Sequence, residues 1–93
     1  MLEKQIERKL IEEIKKRDGI ALKQTGMAGF PDRLVLLPSG RYAFVELKAP
    51  GEKPRKLQVI RMKQLQKLGF RCFVIDDRTQ IGKLLSKLEG GES

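Results

Sequence analysis

Gly29-Phe30-Pro31-Asp32-Arg33-Leu34-Val35-Leu36-Leu37-Pro38-Ser39-Gly40-Arg41-Tyr42-Ala43-Phe44-Val45-Glu46-Leu47-Lys48 is the stretch on which the reading of the fold turns. Leu34 to Leu37 and Tyr42 to Val45 are short, strand-favouring apolar runs, and Leu37-Pro38-Ser39-Gly40 between them has Pro and Gly where a type I turn accepts them. The spacing predicts a β-hairpin whose three-residue loop, Pro38 to Gly40, closes on a left-handed Gly. Such a loop sets Leu37 opposite Arg41 and, carried to the open end, Asp32 opposite Glu46. Facing residues point to one side of a sheet with Cβ atoms about 5 Å apart, and Lys48, two residues beyond Glu46, shares that side. Two carboxylates and an ammonium therefore converge. Like charges set opposite each other destabilise a hairpin, and one lysine offsets only part of that; a divalent cation would complete the balance. A loop with an even number of residues would turn Asp32 to the other face, so the inference hangs on the turn. The competing reading is a surface cross-strand pair for Glu46 and Lys48 and a turn cap for Asp32.

Outward from the hairpin, Leu2, Ile6, Leu10 and Ile14 recur every four residues, with Ile11 beside them, and predict an amphipathic helix from Met1 to about Arg17 that Asp18-Gly19 stops. Glu3 and Glu7 lie one turn apart beside that stripe, near the positive end of the helix dipole; alone they would read as a solvated face. Gly19 to Gln24 reads as a first strand and Thr25 to Phe30 as a glycine-bearing loop. On the other side, Ala49-Pro50-Gly51-Glu52-Lys53-Pro54 cannot continue a strand and leads into a helix from about Arg55 to Leu68. Leu57, Ile60, Leu65 and Leu68 are its expected buried face, Gly69 its C-terminal cap, and Gln58 lies in its first turn, within reach of the carboxylate end of the hairpin. Arg71 to Ile75 reads as the last strand. Thr79 to Leu88 reads as a closing helix with Ile81, Leu84, Leu85 and Leu88 on one face, and residues 89–93 as a frayed end. The order is α-β-β-β-α-β-α, an α/β class in which helices on both sides of a small mixed sheet cover strands that are uniformly apolar.

The 93 residues make one small domain, spanning 1–93, with no repeat, low-complexity tract or long linker. Lys and Arg outnumber Asp and Glu 20 to 12, a net charge of +8 spread along the chain, which points to a polyanionic partner. With no histidine and one cysteine, Cys72 in an apolar run, zinc sites and histidine-based dyads are excluded, and any metal must be a hard cation on oxygen ligands. A lone thiol suits a reducing compartment. The charged amino terminus and the absence of a long apolar run predict no signal peptide and no membrane anchor, hence an intracellular, cytoplasmic protein.

Pro31-Asp32 followed by Glu46-Leu47-Lys48, in this element order, resembles the PD-(D/E)XK nuclease superfamily. Glu3 with Ile6, Gly29-x-Pro31-Asp32-Arg33, Glu46-Leu47-Lys48-Ala49, Leu57-Gln58 and Leu68-Gly69-Phe70 together resemble its virus-type replication-repair nuclease family, VRR-NUC, in its stand-alone phage form. The likeness implies a restriction-endonuclease-like core and a divalent-metal-dependent endodeoxyribonuclease. It implies that Asp32, Glu46 and the Leu47 carbonyl hold Mg2+ or Mn2+, that Glu3 completes the acidic site directly or through water, with Glu7 as its competitor, and that Lys48 orients or deprotonates the attacking water. Gln58 matches the glutamine of the family's second helix. A pair of carboxylates and a lysine suits this reaction, since phosphodiester hydrolysis needs an activated water and neutralisation of charge on the phosphorane and leaving oxygen.

Lys23, Arg33, Lys53, Arg55 and Lys56, with Arg61, Lys63 and Lys67 farther along, are the expected phosphate contacts, which confer affinity without sequence preference. Aromatic residues are few and none lies in a stacking motif, so duplex or branched DNA is favoured over single strands. The resemblance implies behaviour like that of Holliday-junction resolvases, in DNA repair or in a phage-infected bacterial host. Two matched cuts on a two-fold junction then require a homodimer of a chain that offers one site. The rival readings are a catalytically silent nucleic-acid-binding module that keeps the fold, and a restriction-like duplex endonuclease, which would lack a separate recognition domain. Whether one metal or two are held is open at this level.

Overall fold

The structure is a computed structural model and describes residues 2–90. Helix α1 (Glu3–Lys16) forms on the stripe of Ile6, Leu10 and Ile14, all buried; Leu2, expected at the head of that stripe, is its exposed N-terminal cap position instead. Asp18, at a left-handed φ of 60°, and Gly19 turn the chain back. A Cβ on Gly19 would lie 2.5 Å from the Leu36 carbonyl oxygen, so only glycine lets the chain pass this close to its neighbour. Strands β1 (Ile20–Lys23), β2 (Arg33–Leu37) and β3 (Arg41–Leu47) run as an antiparallel meander. Helix α2 (Lys56–Lys67) then crosses over to β4 (Cys72–Ile75), parallel to β3, and α3 (Thr79–Glu89) closes the chain. The sheet order is β1-β2-β3-β4. This is the expected α-β-β-β-α-β-α order around a small mixed sheet.

The hairpin register is the expected one: Leu37 faces Arg41 and Arg33 faces Val45. The turn differs in detail. Ser39 (φ 69°) and Gly40 (φ 72°) are both left-handed, so the loop is no plain type I turn. The register is unaffected because the number of loop residues sets it.

Val35, Leu37, Ala43, Val45, Leu47 and Ile75 point to one face of the sheet, where α1 and α3 bury them with Ile6, Leu10, Ile14, Ile81, Leu84, Leu85 and Leu88. The alternate residues point to the α2 face. There Phe44 meets Phe30 and Phe70 edge-on, with ring centroids 6.2 and 6.0 Å apart. On α2 itself the expected face is corrected. Leu57, Ile60 and Leu68 are exposed, and the buried residues are Met62 and Leu65. Each residue turns a helix by about 100°, so Gln58, Met62 and Leu65 form one stripe, rotated away from the one that Leu57, Ile60 and Leu68 suggest. This is the stripe that α2 turns inward, and it carries Gln58 to a half-buried position. Gly69 (φ 99°) ends α2 as expected: its N–H and that of Phe70 bond back to the Gln66 and Leu65 carbonyls. The end expected to fray is helical through Glu89, which pairs with Arg17 at 3.2 Å; residues 91–93 lie outside the described residues.

Candidate active site

The open end of the β2–β3 hairpin carries the site. Pro31 cannot donate to a ladder and Asp32 follows it at a bend, so regular pairing with β3 stops at Arg33. The Asp32 carboxylate takes the place of a main-chain acceptor, and the Leu47 N–H donates to its Oδ2 at 2.8 Å. That bond fixes the carboxylate against β3 beside Glu46. The Glu46 side chain is 1% exposed, and neither of its oxygens has a hydrogen-bond partner. Lys48 Nζ lies 3.3 Å from Glu46 Oε2, close enough for charge attraction but without hydrogen-bond geometry. Burial, and then the charge of Asp32, push the Glu46 carboxyl above its ordinary value, against the pull of Lys48.

Helix α1 brings a third carboxylate to this end. Arg33 Nη2 pairs with Glu7 Oε2 at 2.9 Å, which fixes the first half of α1 beside β2. Glu3, one turn earlier, thereby reaches the charges of Asp32 and Lys48 while remaining largely exposed. Desolvation, and then Asp32, raise the Glu3 carboxyl. Glu52, which sequence reasoning missed, adds to that effect; its Oε1 accepts from the Ala49 N–H at 3.2 Å and so closes the connector into a turn toward the site. The signal available was a carboxylate three residues after Ala49 in a Pro/Gly segment, which resembles any capped turn.

Of the residues singled out in the sequence, Asp32, Glu46, Leu47 and Lys48 come together, and Glu3 faces them from α1. Among the described residues no three Asp, Glu, Cys or His side chains close on one point, so the tight carboxylate pair is Asp32 and Glu46. Glu7 is committed to Arg33 rather than to this cluster. Gln58 is on the inward stripe of α2, where its Oε1 accepts from the Arg55 N–H at 2.7 Å and caps its own helix. Lys23, Lys53, Arg55 and Lys56 are exposed, and among the described residues none of them forms an ion pair. Arg33 is not free in this way. Besides Glu7, its Nη1 donates to the Ala21 carbonyl at 2.9 Å, tying α1, β1 and β2 together.

A buried carboxylate with two unpartnered oxygens, a second carboxylate held beside it and an oxygen-only donor set suit a hard divalent cation. No family model matches the chain. A protein of Acyrthosiphon pisum secondary endosymbiont phage 1, "Putative nuclease p44", is 46% identical over 78 residues, which span 82% of this chain and 84% of the phage protein. A solved structure described as a VRR_NUC domain superposes with a TM-score of 0.80 at 29% identity, over 92% of this chain and 97% of its own. With the Asp32, Glu46 and Lys48 constellation in place on the same fold, this chain belongs to the VRR_NUC family of nucleases.

Proposed function

We propose that the protein is a divalent-metal-dependent endodeoxyribonuclease that acts on branched DNA as a homodimer. The observation that carries the reading is the Glu46 carboxylate, buried with neither oxygen hydrogen-bonded and set beside Asp32. Leaving such a group unpaired costs on the order of 1–3 kcal/mol or more, a penalty that Lys48 at 3.3 Å offsets only in part. Asp32, Glu46 and the Leu47 carbonyl would hold Mg2+ or Mn2+, with Glu3 contributing through water. A bound cation supplies Lewis acidity toward the phosphate and lowers the pKa of water near it.

The chain's own residues do the rest. The Leu47 N–H holds Asp32 in a fixed orientation, so the donor set is preorganised. Lys48, 10% exposed and paired with Glu46, places an ammonium at the scissile phosphate, where it positions the attacking water and stabilises charge on the phosphorane oxygens. Gln58 holds the start of α2 at the edge of the site. Lys23, Lys53, Arg55 and Lys56 grip flanking phosphates without reading bases. Exposed Ile20, Leu22 and Leu68 supply apolar surface for a second copy, and a second copy supplies the second cut that a two-fold junction requires.

The test is cleavage of a labelled four-way junction and a matched linear duplex, with Mg2+ or Mn2+ against chelator. Paired, metal-dependent nicks on the junction, absent in Asp32→Ala and Glu46→Ala, are expected. Binding without cleavage under either metal would replace this reading with that of a silent nucleic-acid-binding module. Equal cutting of the linear duplex would remove the branch selectivity and leave the nuclease.

A further inference from the structure

We propose that Pro31 is a positioning residue: by withholding a backbone donor it leaves the Leu47 carbonyl free to face a cation. The proposal rests on the reading of this site as a divalent-cation site. Along β3 the main-chain groups alternate in direction. Phe44 N–H bonds to the Arg71 carbonyl at 2.9 Å and Lys48 N–H to the Ile75 carbonyl at 3.0 Å, so the even-numbered residues serve β4. The odd-numbered residues, Leu47 among them, therefore point their N–H and C=O toward β2. The β2–β3 register sets Val45 opposite Arg33, its last paired residue; continued along the same line, it would set Leu47 opposite Pro31.

At that pair an ordinary residue would exchange two backbone hydrogen bonds with Leu47. Proline has no N–H to give. The Leu47 N–H bonds to Asp32 Oδ2, and the Leu47 carbonyl lacks the donor that this register would bring it. β2 is an interior strand, flanked by β1 and β3, where proline is tolerated only at or before the entrance, and Pro31 precedes the bend at Asp32 that leads into it, with its ring fully buried. The missing N–H thus leaves the Leu47 carbonyl free to face the site, while the Leu47 amide is taken by Asp32.

The test uses the full chain, isotope-labelled, with Pro31→Ala and Pro31→Val, which share the new N–H but differ in volume. Two readouts are taken: the hydrogen-bond scalar coupling from the residue 31 amide to the Leu47 carbonyl without metal, and Mn2+ affinity by calorimetry. In both variants we expect the coupling to appear and Mn2+ affinity to fall about 10–100-fold, the range for loss of a ligand's supporting contacts. No coupling overturns the proposal, as does coupling with unchanged affinity. Weakening in the Ala variant alone also overturns it, because the effect then belongs to ring volume. A wild-type protein that binds no Mn2+, or binds it equally well as Glu46→Gln, overturns the cation reading itself and the proposal with it.

Discussion

The Glu46 carboxyl sits in a place that disfavours its charged form, and its stability effect has a definite sign. Its carboxyl is raised, so the folded state holds the proton more tightly than the unfolded chain does. Without metal, Glu46 therefore costs no stability below the ordinary carboxylate range and costs progressively more as pH rises from that range through its raised value. Glu46→Gln is expected to flatten this part of the pH profile in chelator, as thermal melts would show; an unchanged profile would contradict the assignment. Glu13 has the opposite sign. Hydrogen bonds from Lys16, Arg17 and Lys9 lower it to about 2, so its contribution is present above the ordinary carboxylate range and is lost as pH falls through about 2. Glu13→Gln is expected to remove acid sensitivity in that window alone, measured by the same melts.

At the level of elements, Arg33 and Gly29 hold the pieces in place. Arg33 is 14% exposed and joins Glu7 to the Ala21 carbonyl, so Arg33→Ala leaves a partly buried carboxylate and a strand carbonyl without their partner. A loss of about 1–3 kcal/mol is expected by denaturant unfolding, with the salt dependence of DNA binding unchanged, since this guanidinium is turned into the fold. Gly29 seats the β1–β2 loop on α2. It has φ 81°, and a Cβ there would lie 2.6 Å from Leu57 Cγ. Arg61 Nε fastens the same loop through the Ala28 carbonyl at 3.1 Å. Gly29→Ala is expected to cost at least about 1 kcal/mol. Adding Leu57→Ala should recover only the steric part, because the backbone strain remains; a double-mutant cycle reads the difference.

For the whole molecule, the proposed function rests on charge and on assembly. At a net charge of +8 the proposed association with DNA would be salt-dependent, with exposed Lys23, Lys53, Arg55 and Lys56, which form no ion pair among the described residues, as its expected contacts. Alanine at Lys53, Arg55 or Lys56 is expected to weaken junction binding for all sequences alike and to reduce the log–log salt slope by roughly 1 each, by titration at several salt concentrations. Sedimentation at micromolar concentration is expected to give twice the 10.6 kDa chain mass; a monomeric mass with and without DNA would count against the homodimer.

The element order, the hairpin register and the convergence of Asp32, Glu46 and Lys48 were determined by local sequence, because a three-residue loop and a two-residue side-chain period leave one register and one face. The buried stripes of α1 and α3 were legible for the same reason: each meets the sheet along one clean helical period. Only the tertiary structure decided which side of α2 is buried. Its apolar residues encircle the helix, and packing against the sheet buries Met62 and Leu65 while Leu57, Ile60 and Leu68 stay exposed. The same holds for Arg33, whose charge alone suggests a phosphate partner until Glu7 arrives from 26 residues away, and for Glu52, whose turn brings it toward Glu3. Periodicity and turn chemistry act between neighbours in the chain, whereas ion pairs and helix faces depend on what packing brings together from a distance.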